Sequence, residues 1–312
     1  MPSTELNPTP RLHVVAAIIR AAGGRVLLAQ RPAHKHQGGR WEFPGGKVEA
    51  NETLHEALAR ELDEELGLSA DSSEPFMTVD HRYPDLHVRL HFREVTSWQG
   101  DAHGREGQPV AWFALAELAT LSFPAANRPV VKALQLSDAL MVMPDITVMV
   151  DWQARLEKAI ARGCRVVYLR GLEKHPQQLQ QAVKICRAAG VVSLLRNDVE
   201  LMRSSGAAGL HLSGPAAAAL AQRPDVTWLS VACHSAEELA VARRLQADLV
   251  LLSPVLATAT HPGAKPLGWQ RFAELAIGQP FAVYALGGMS QEDIVTAKQH
   301  GARGIAAIRA FL

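Results

Sequence analysis

With 312 residues the chain is long for one compact core and sufficient for two domains. Its 32 basic and 31 acidic residues leave a formal charge of +1, too little for an overall field that would hold a nucleic-acid backbone, and Cys164, Cys186 and Cys233 form neither a CxxC pair nor an even disulfide set. No apolar run reaches the roughly 20 residues that span a bilayer, and MPSTELNPTPRLH lacks a charged-then-apolar signal pattern, so the expectation is a cytoplasmic protein with no membrane partner and no stable nucleic-acid binding.

In chain order, LHVVAAIIR and RVLLAQR are β-rich runs separated by AAGG, which predicts a hairpin of two central strands. Trp41-Glu42-Phe43 then leads into Pro44-Gly45-Gly46, where glycines permit a tight backbone path against a ligand. A helix is predicted from about Thr53, which with Glu56 forms a capping-box pattern, to Leu66, with Gly67 suited to its C-terminus. At about 100° per residue from Glu61, the leucines Leu54, Leu58, Leu62 and Leu66 fall near 20°, 60°, 100° and 140°, the core-facing stripe. Glu61, Glu64 and Glu65 fall near 0°, −60° and 40°, so two lie inside or at the edge of that arc, whereas Glu56, Arg60 and Asp63 point away from it. Half-buried carboxylates side by side repel one another and lose hydration unless a cation neutralises them. An all-oxygen set without Cys or His suits a hard ion, Mg²⁺ or Mn²⁺, which also bridges to phosphate. The competing reading is an acidic surface helix ion-paired by Arg60, and the register argues against it. Further strands are predicted at 89–95 and 110–113 and a short helix at 115–119, an α+β arrangement of mixed strands around one functional helix.

The stretch GKVEANETLHEALARELDEELGL resembles the Nudix box, G-x5-E-x7-R-E-U-x-E-E-x-G-U with U aliphatic, at every fixed position through Gly46, Glu52, Arg60, Glu61, Leu62, Glu64, Glu65, Gly67 and Leu68. The resemblance extends over about residues 12–133 to the MutT-type branch through FPGGK, YPD, EGQP and FP-x-AN-x-P. It implies an Mg²⁺-dependent nucleoside triphosphate pyrophosphohydrolase, with Mn²⁺ as a substitute, and 8-oxo-dGTP as the substrate. It also implies catalytic and metal roles for Glu61, Glu64, Glu65 and Glu106, with the Gly45 carbonyl joining the metal set; which glutamate is the base stays open. Alone, Glu106 in GREGQ reads as a solvated loop residue. Arg31, His36, Glu42, Phe43, Pro44, Gly45, Asp85 and Asn127 match positions that hold the nucleotide: Phe43 offers a stacking face, Arg31 a charge for phosphate, and Asn127 an amide with donor and acceptor. Each has a plainer reading as core, surface charge or turn. Where this branch commonly carries arginine after the YPD aspartate, the chain has Leu86.

Residues 1–134 are therefore expected to form a Nudix domain, and after a linker at 135–138 residues 139–312 a second one. There, β-type runs at 140–143, 166–169, 191–195, 209–212, 228–232, 249–252, 281–285 and 304–307 alternate with helical stretches, which indicates a (β/α)8 TIM barrel. Through Asn197-Asp198, GLHLSG, SVACHSAEEL, LLSPVLATATHPGAKPLGW, YALGGM and GIAAIRAF this half resembles the thiamine phosphate synthase and TenI family. That resemblance implies a thiazole phosphate-type ligand held by Arg170, Asn197, Thr258, Thr260, Gly287, Gly288, Ile308 and Arg309, with His234 in a proton-transfer position. It departs from the synthase pattern where Tyr168-Leu169-Arg170-Gly171-Leu172 replaces Q-x-R-x-K, where Ser213-Gly214-Pro215-Ala216 lacks the acid that would partner Asp198 on Mg²⁺, and where His261 replaces a lysine. Non-catalytic ligand binding by the barrel is the alternative.

Overall fold

Strands of mixed pattern build the first half of the chain, and short unbroken apolar runs build the second. In the computed structural model, residues 11–33, 37–84, 86–144, 146–147, 150–258, 263 and 265–308 are described. The chain divides into two compact units, Met1–Val131 and Lys132–Leu312.

The first unit contains strands β1 (Arg11–Ile19), β2 (Val26–Gln30), β3 (Trp41–Glu42), β4 (Ser69–Arg82), β5 (His87–Gln99) and β6 (Val110–Phe113), with helix α1 (Leu54–Leu66) between β3 and β4. One sheet has the order β1-β5-β4, the other β3-β2-β6. β1 runs parallel to β5 from the pair Arg11 and His87 to the pair Ile19 and Val95. The short helix expected at 115–119 is a 3-10 turn at Glu117–Thr120.

The AAGG turn forms, with the Ala21 amide donating to the Arg25 carbonyl at 2.9 Å, but its arms part into different sheets. The expected hairpin of two central strands is thus corrected: β2 is central, whereas β1 lies at the end of its strand order. The cause is in the sequence of β1. Val15 to Ile19 are all buried, and an unbroken apolar run needs cover on both faces, which a lone hairpin does not give. The outer edge of β1 is satisfied by the Pro44–Lys47 segment: Ala17 N–H donates to the Pro44 carbonyl at 2.8 Å and Val15 N–H to the Gly46 carbonyl at 2.9 Å. β4 had no strand signal, since SADSSEPFMTVDHR is mostly polar; it pairs antiparallel with β5 through three register shifts, one of them beside Pro75.

α1 starts at Thr53, whose hydroxyl accepts from the Glu56 amide while the Glu56 carboxylate accepts from the Thr53 amide, and stops at left-handed Gly67. Its buried residues Ala57, Leu58, Leu62 and Leu66 pack with Val15, Ala17 and Ile19 of β1 and Leu27 of β2 in one core. That packing fixes the rotation of the helix and hence of its glutamates.

The second unit begins within the helix α2 (Arg128–Leu134) and closes eight parallel strands into a barrel: β7 (Ala139–Val142), β8 (Val166–Tyr168), β9 (Val192–Arg196), β10 (Gly209–Leu212), β11 (Trp228–Cys233), β12 (Leu249–Leu252), β13 (Ala282–Leu286) and β14 (Gly304–Ala307). Helices α3 (Trp152–Ala161), α4 (Pro176–Ala188), α5 (Val199–Ser205), α6 (Gly214–Ala219), α7 (Ala236–Arg244), α8 (Gly268–Ala276) and α9 (Asp293–Gln299) lie between successive strands. At the amino-terminal strand ends Asp248 takes Lys132 and Arg223 at 2.8 Å each and the Leu229 amide at 2.8 Å. Asp138 pairs with Arg303, and the Tyr284 hydroxyl donates to the Ser137 carbonyl at 2.5 Å. Among the described residues no helix is long and apolar enough to cross a membrane.

Candidate functional site

The rotation of α1 sends its glutamates toward the Pro44–Lys47 segment. Glu61, Glu64 and Glu65 line a cavity of about 620 Å³ together with Glu106, Gly45, Arg31, Glu42, Phe43 and Asn127. Its apolar wall comes from Leu12, Val14 and Ala16 of β1 and Val88 and Leu90 of β5, which face it at alternate positions along each strand. Pro44 is buried and its carbonyl is used by β1. His36 and Asp85 lie outside the described residues.

Glu65 accepts from the Gly45 amide at 3.2 Å. Burial raises its carboxyl to about pH 7, helped by the charges of Glu61, Glu42 and Glu106 and opposed by that Gly45 hydrogen bond. Glu61 is also raised, chiefly by burial, against the pull of Arg60. Arg60 does not point away from the leucine arc as the helical wheel suggested. Its long side chain folds back to hold Glu52 at 2.7 Å, Glu61 at 3.0 Å and Glu64 at 3.2 Å, and donates to the Lys47 carbonyl at 3.0 Å. One guanidinium therefore neutralises part of the cluster, and Glu65 is left to burial and repulsion.

Glu106 is exposed on the loop before β6, and this loop is tied to the end of α1: the Arg105 amide donates to the Glu65 carbonyl at 2.9 Å and Gln108 Nε2 to the same oxygen at 3.1 Å. Its own amide donates to Gln108 Oε1 at 2.9 Å. Among the described residues no three of His, Cys, Asp and Glu stand together as a formed metal cluster. The donor chemistry nevertheless fits a hard divalent ion: every donor is oxygen, and two of the carboxyls are held above their ordinary range because they are crowded and buried.

In the same cavity wall Asn127 is 4% exposed, and none of the described residues hydrogen-bonds its carboxamide. Arg31 is ion-paired with Glu42, which gives both a fixed place in the wall. The Phe43 ring, which lines the cavity, is 3% exposed and packed on Phe92 and Phe123 with centroids 5.5 and 6.1 Å away, so it also belongs to the core. Leu86 lines the same cavity. Among the further lining residues that the sequence reading does not single out are Gln37, Lys47 and Tyr83. The first has no motif signal, whereas the others stand inside the FPGGK and YPD segments.

The barrel holds a second cavity, of about 570 Å³, at the carboxyl ends of its strands. Arg170, His234, Thr258, Gly287, Gly288 and Ile308 line it, while Thr260, His261 and Arg309 lie outside the described residues. Asn197 is used otherwise: its amide spans the ends of two strands, donating to Ser213 Oγ at 3.1 Å and accepting from the Ser213 amide at 2.9 Å. Asp198 caps α5 by accepting from the Leu201 amide at 2.8 Å. His234 Nδ1 stands 2.7 Å from the Ser253 carbonyl, which can only accept, so in the neutral ring the proton sits on Nδ1 and Nε2 keeps its lone pair. His211 and Lys265 were not singled out from sequence and also line the cavity. His211 is buried against Tyr168 and bonded to Ser230, and burial pushes its imidazole down to about 3, so it is neutral.

Residues 14–133 match the NUDIX domain family model, and residues 140–311 match that of thiamine monophosphate synthase. The first half is 38% identical to an 8-oxo-dGTP diphosphatase of Escherichia coli K12, covering 40% of this chain and 97% of that one. It is likewise 38% identical to a CTP pyrophosphohydrolase of the same organism, covering 39% and 90%. The second half is 32% identical to a protein of Aquifex aeolicus named "Putative thiamine-phosphate synthase 2", covering 50% of this chain and 88% of that one. The box glutamates on one rotation-locked helix, the eight-stranded barrel and these likenesses together place the chain in two families at once: it belongs to the Nudix hydrolases, enzymes of phosphoanhydride bonds, through its first unit, and to the thiamine monophosphate synthase family through its second.

Proposed function

We propose that the first unit is an Mg²⁺-dependent nucleoside triphosphate pyrophosphohydrolase that converts 8-oxo-dGTP and water to 8-oxo-dGMP and diphosphate. The observation that carries this reading is one cavity lined both by the carboxylates of Glu61, Glu64, Glu65 and Glu106 and by the side chain of Asn127. Glu61, Glu64, Glu65, Glu106 and the Gly45 carbonyl would hold the ion, which when bound supplies charge neutralisation for the phosphate oxygens and lowers the pKa of water. The protein's own part is positional. The Gly45 amide fixes one Glu65 oxygen, Arg60 fixes Glu61 and Glu64, and a carboxylate of this set accepts the proton of the attacking water as its oxygen bonds to phosphorus and the P–O anhydride bond breaks toward diphosphate.

Two relatives of equal identity act, by name, on different bases, so the base preference rests on side chains rather than on overall likeness. Asn127 has donor and acceptor for the altered edge of 8-oxoguanine, which carries N7–H and a carbonyl at C8 where guanine has a lone pair and C–H. Asn127→Ala is expected to lower kcat/KM for 8-oxo-dGTP about 10-fold or more while changing dGTP by less than about threefold. Steady-state kinetics on both nucleotides checks this, and equal losses would remove Asn127 from base recognition. A broader (d)NTP or thiamine-related pyrophosphate substrate is the alternative, and Leu86 in the cavity wall is the feature that favours departure from the usual preference.

For the barrel we propose binding of a thiazole phosphate-type ligand without thiamine phosphate synthesis. Asp198 is engaged as a helix cap and Asn197 as a strand strap, which removes two groups that a pyrophosphate-expelling synthase would turn to its substrate. His234, with Nδ1 protonated and Nε2 unprotonated, is suited to a proton shuttle of the tautomerase kind. Calorimetry on the full chain is expected to detect a thiazole phosphate, and His234→Ala to keep that affinity within about threefold while any tautomerisation falls about 10²-fold or more. Efficient thiamine phosphate formation by the wild-type protein would refute this half of the reading.

A further inference from the structure

Two buried side-chain oxygens have no hydrogen-bond partner among the described residues, Gln37 Oε1 and Glu173 Oε2, and Gln37 is the one that lines the Nudix cavity. The residues that follow it, Gly39 and Arg40, are tied to Gln30 and Arg31. The Arg31 amide donates to the Arg40 carbonyl and the Gly39 amide to the Arg31 carbonyl, each at 2.9 Å, and Gln30 Nε2 donates to the Gly39 carbonyl at 2.9 Å. Gln37 itself sits at φ +61, a left-handed backbone that side-chain-bearing residues adopt uncommonly. An uncommon backbone at Gln37, two residues before the tied Gly39, thus delivers a desolvated acceptor to the cavity wall. An acceptor deprived of water is unfavourable until a donor meets it, which makes it a recognition element for whatever fills the space.

The chemistry of the acceptor limits its partner. Ionised phosphate oxygens are acceptors and would be repelled, while the cavity already provides Lys47, Arg60 and the glutamates for that end. What remains is the nucleoside, whose base N–H groups and sugar hydroxyl are donors. We propose that Gln37 is a nucleoside-contacting residue whose carboxamide oxygen accepts a hydrogen bond from the base or sugar of the bound nucleotide; this rests on the nucleotide reading of the cavity given above.

The test uses the full chain with Mg²⁺ and the variants Gln37→Met, which keeps length without polar atoms, and Gln37→Ala. KM for 8-oxo-dGTP is expected to rise about 3- to 10-fold, the worth of one neutral hydrogen bond, with kcat and the melting midpoint unchanged. Assays with dGTP and with the 3′-deoxy analogue of 8-oxo-dGTP identify the donor. Sensitivity confined to the 8-oxo nucleotides assigns N7–H, sensitivity lost in the 3′-deoxy analogue assigns the sugar hydroxyl, and equal sensitivity throughout assigns another base N–H. Unchanged KM for all three substrates in both variants, or a loss in kcat alone, overturns the proposal while leaving the hydrolase reading intact. Absence of nucleotide turnover by the wild-type chain overturns both.

Discussion

Glu65→Gln is expected to cost about 10²–10⁴-fold in Mg²⁺-dependent turnover and at the same time to stabilise the metal-free protein at alkaline pH. Both effects have one cause. Burial and the Glu61, Glu42 and Glu106 charges hold the Glu65 carboxyl near 7 against an ordinary 4.5, so between those two pH values the folded state binds more protons than the unfolded state and stability falls as pH rises. Above about pH 7 the whole penalty is present, about 1–2 kcal/mol once solvent screening is allowed for, and a neutral amide does not carry it. Metal-free Glu65→Gln should therefore melt above the wild type at pH 8, with the difference vanishing toward pH 4. Addition of Mg²⁺ should raise the wild-type melting midpoint more than that of the variant. Glu61→Gln should lose turnover similarly. Near-normal rates in both variants, or a metal-free Glu65→Gln protein less stable than the wild type at pH 8, would count against a carboxylate cluster built for a cation.

Gly45→Ala should be strongly damaging to the first unit. Gly45 has φ +140, and a Cβ there would run into the Val15 carbonyl oxygen and come within 2.9 Å of the Ala16 Cα, both on β1. Neither is a flexible side-chain end. Relief requires the Pro44–Lys47 segment to leave β1, breaking the bonds from Ala17 to Pro44 and from Val15 to Gly46 and withdrawing the Gly45 amide from Glu65. A loss of about 3–5 kcal/mol is expected, together with activity well below that of the folded fraction. Gly39→Ala provides the control, since a Cβ there meets nothing within 4 Å and only the left-handed backbone at φ +76 opposes it, at about 1 kcal/mol. Urea denaturation of both variants measures the contrast, and a Gly45→Ala protein as stable as Gly39→Ala would disprove the close approach.

The barrel strands were legible because each is a short apolar run buried on both faces and followed by polar or glycine residues; the runs at 209–212, 249–252 and 304–307 coincide with β10, β12 and β14. The capping box and Gly67 likewise fixed α1 from local chemistry alone. Other features depend on distant partners. β4 is a strand because β5 offers it a long edge, which its own polar sequence does not announce. Arg60 is drawn back over the helix by Glu52, eight residues away on the preceding loop, and a helical wheel carries no information about a flexible side chain's reach. Among the site residues, Phe43 gives no sign in sequence of the rings it packs on, since Phe92 and Phe123 come from distant segments. The engagement of Asn197 with Ser213 is invisible until β9 and β10 are side by side.

The ionic closure of the barrel lies at the strand ends away from its cavity: Asp248 with Lys132 and Arg223, and Asp138 with Arg303. Integrity of the shell and chemistry at its mouth are thereby carried by separate sets of side chains. Substitutions at the mouth leave the staples at the opposite end in place, so this half of the chain can shed one activity, or drift toward another ligand, without passing through an unfolded ancestor. A scaffold so divided is free to wander in function, and the departures from the synthase pattern at Tyr168, within Ser213-Gly214-Pro215-Ala216 and at His261 are changes of a kind that such freedom permits.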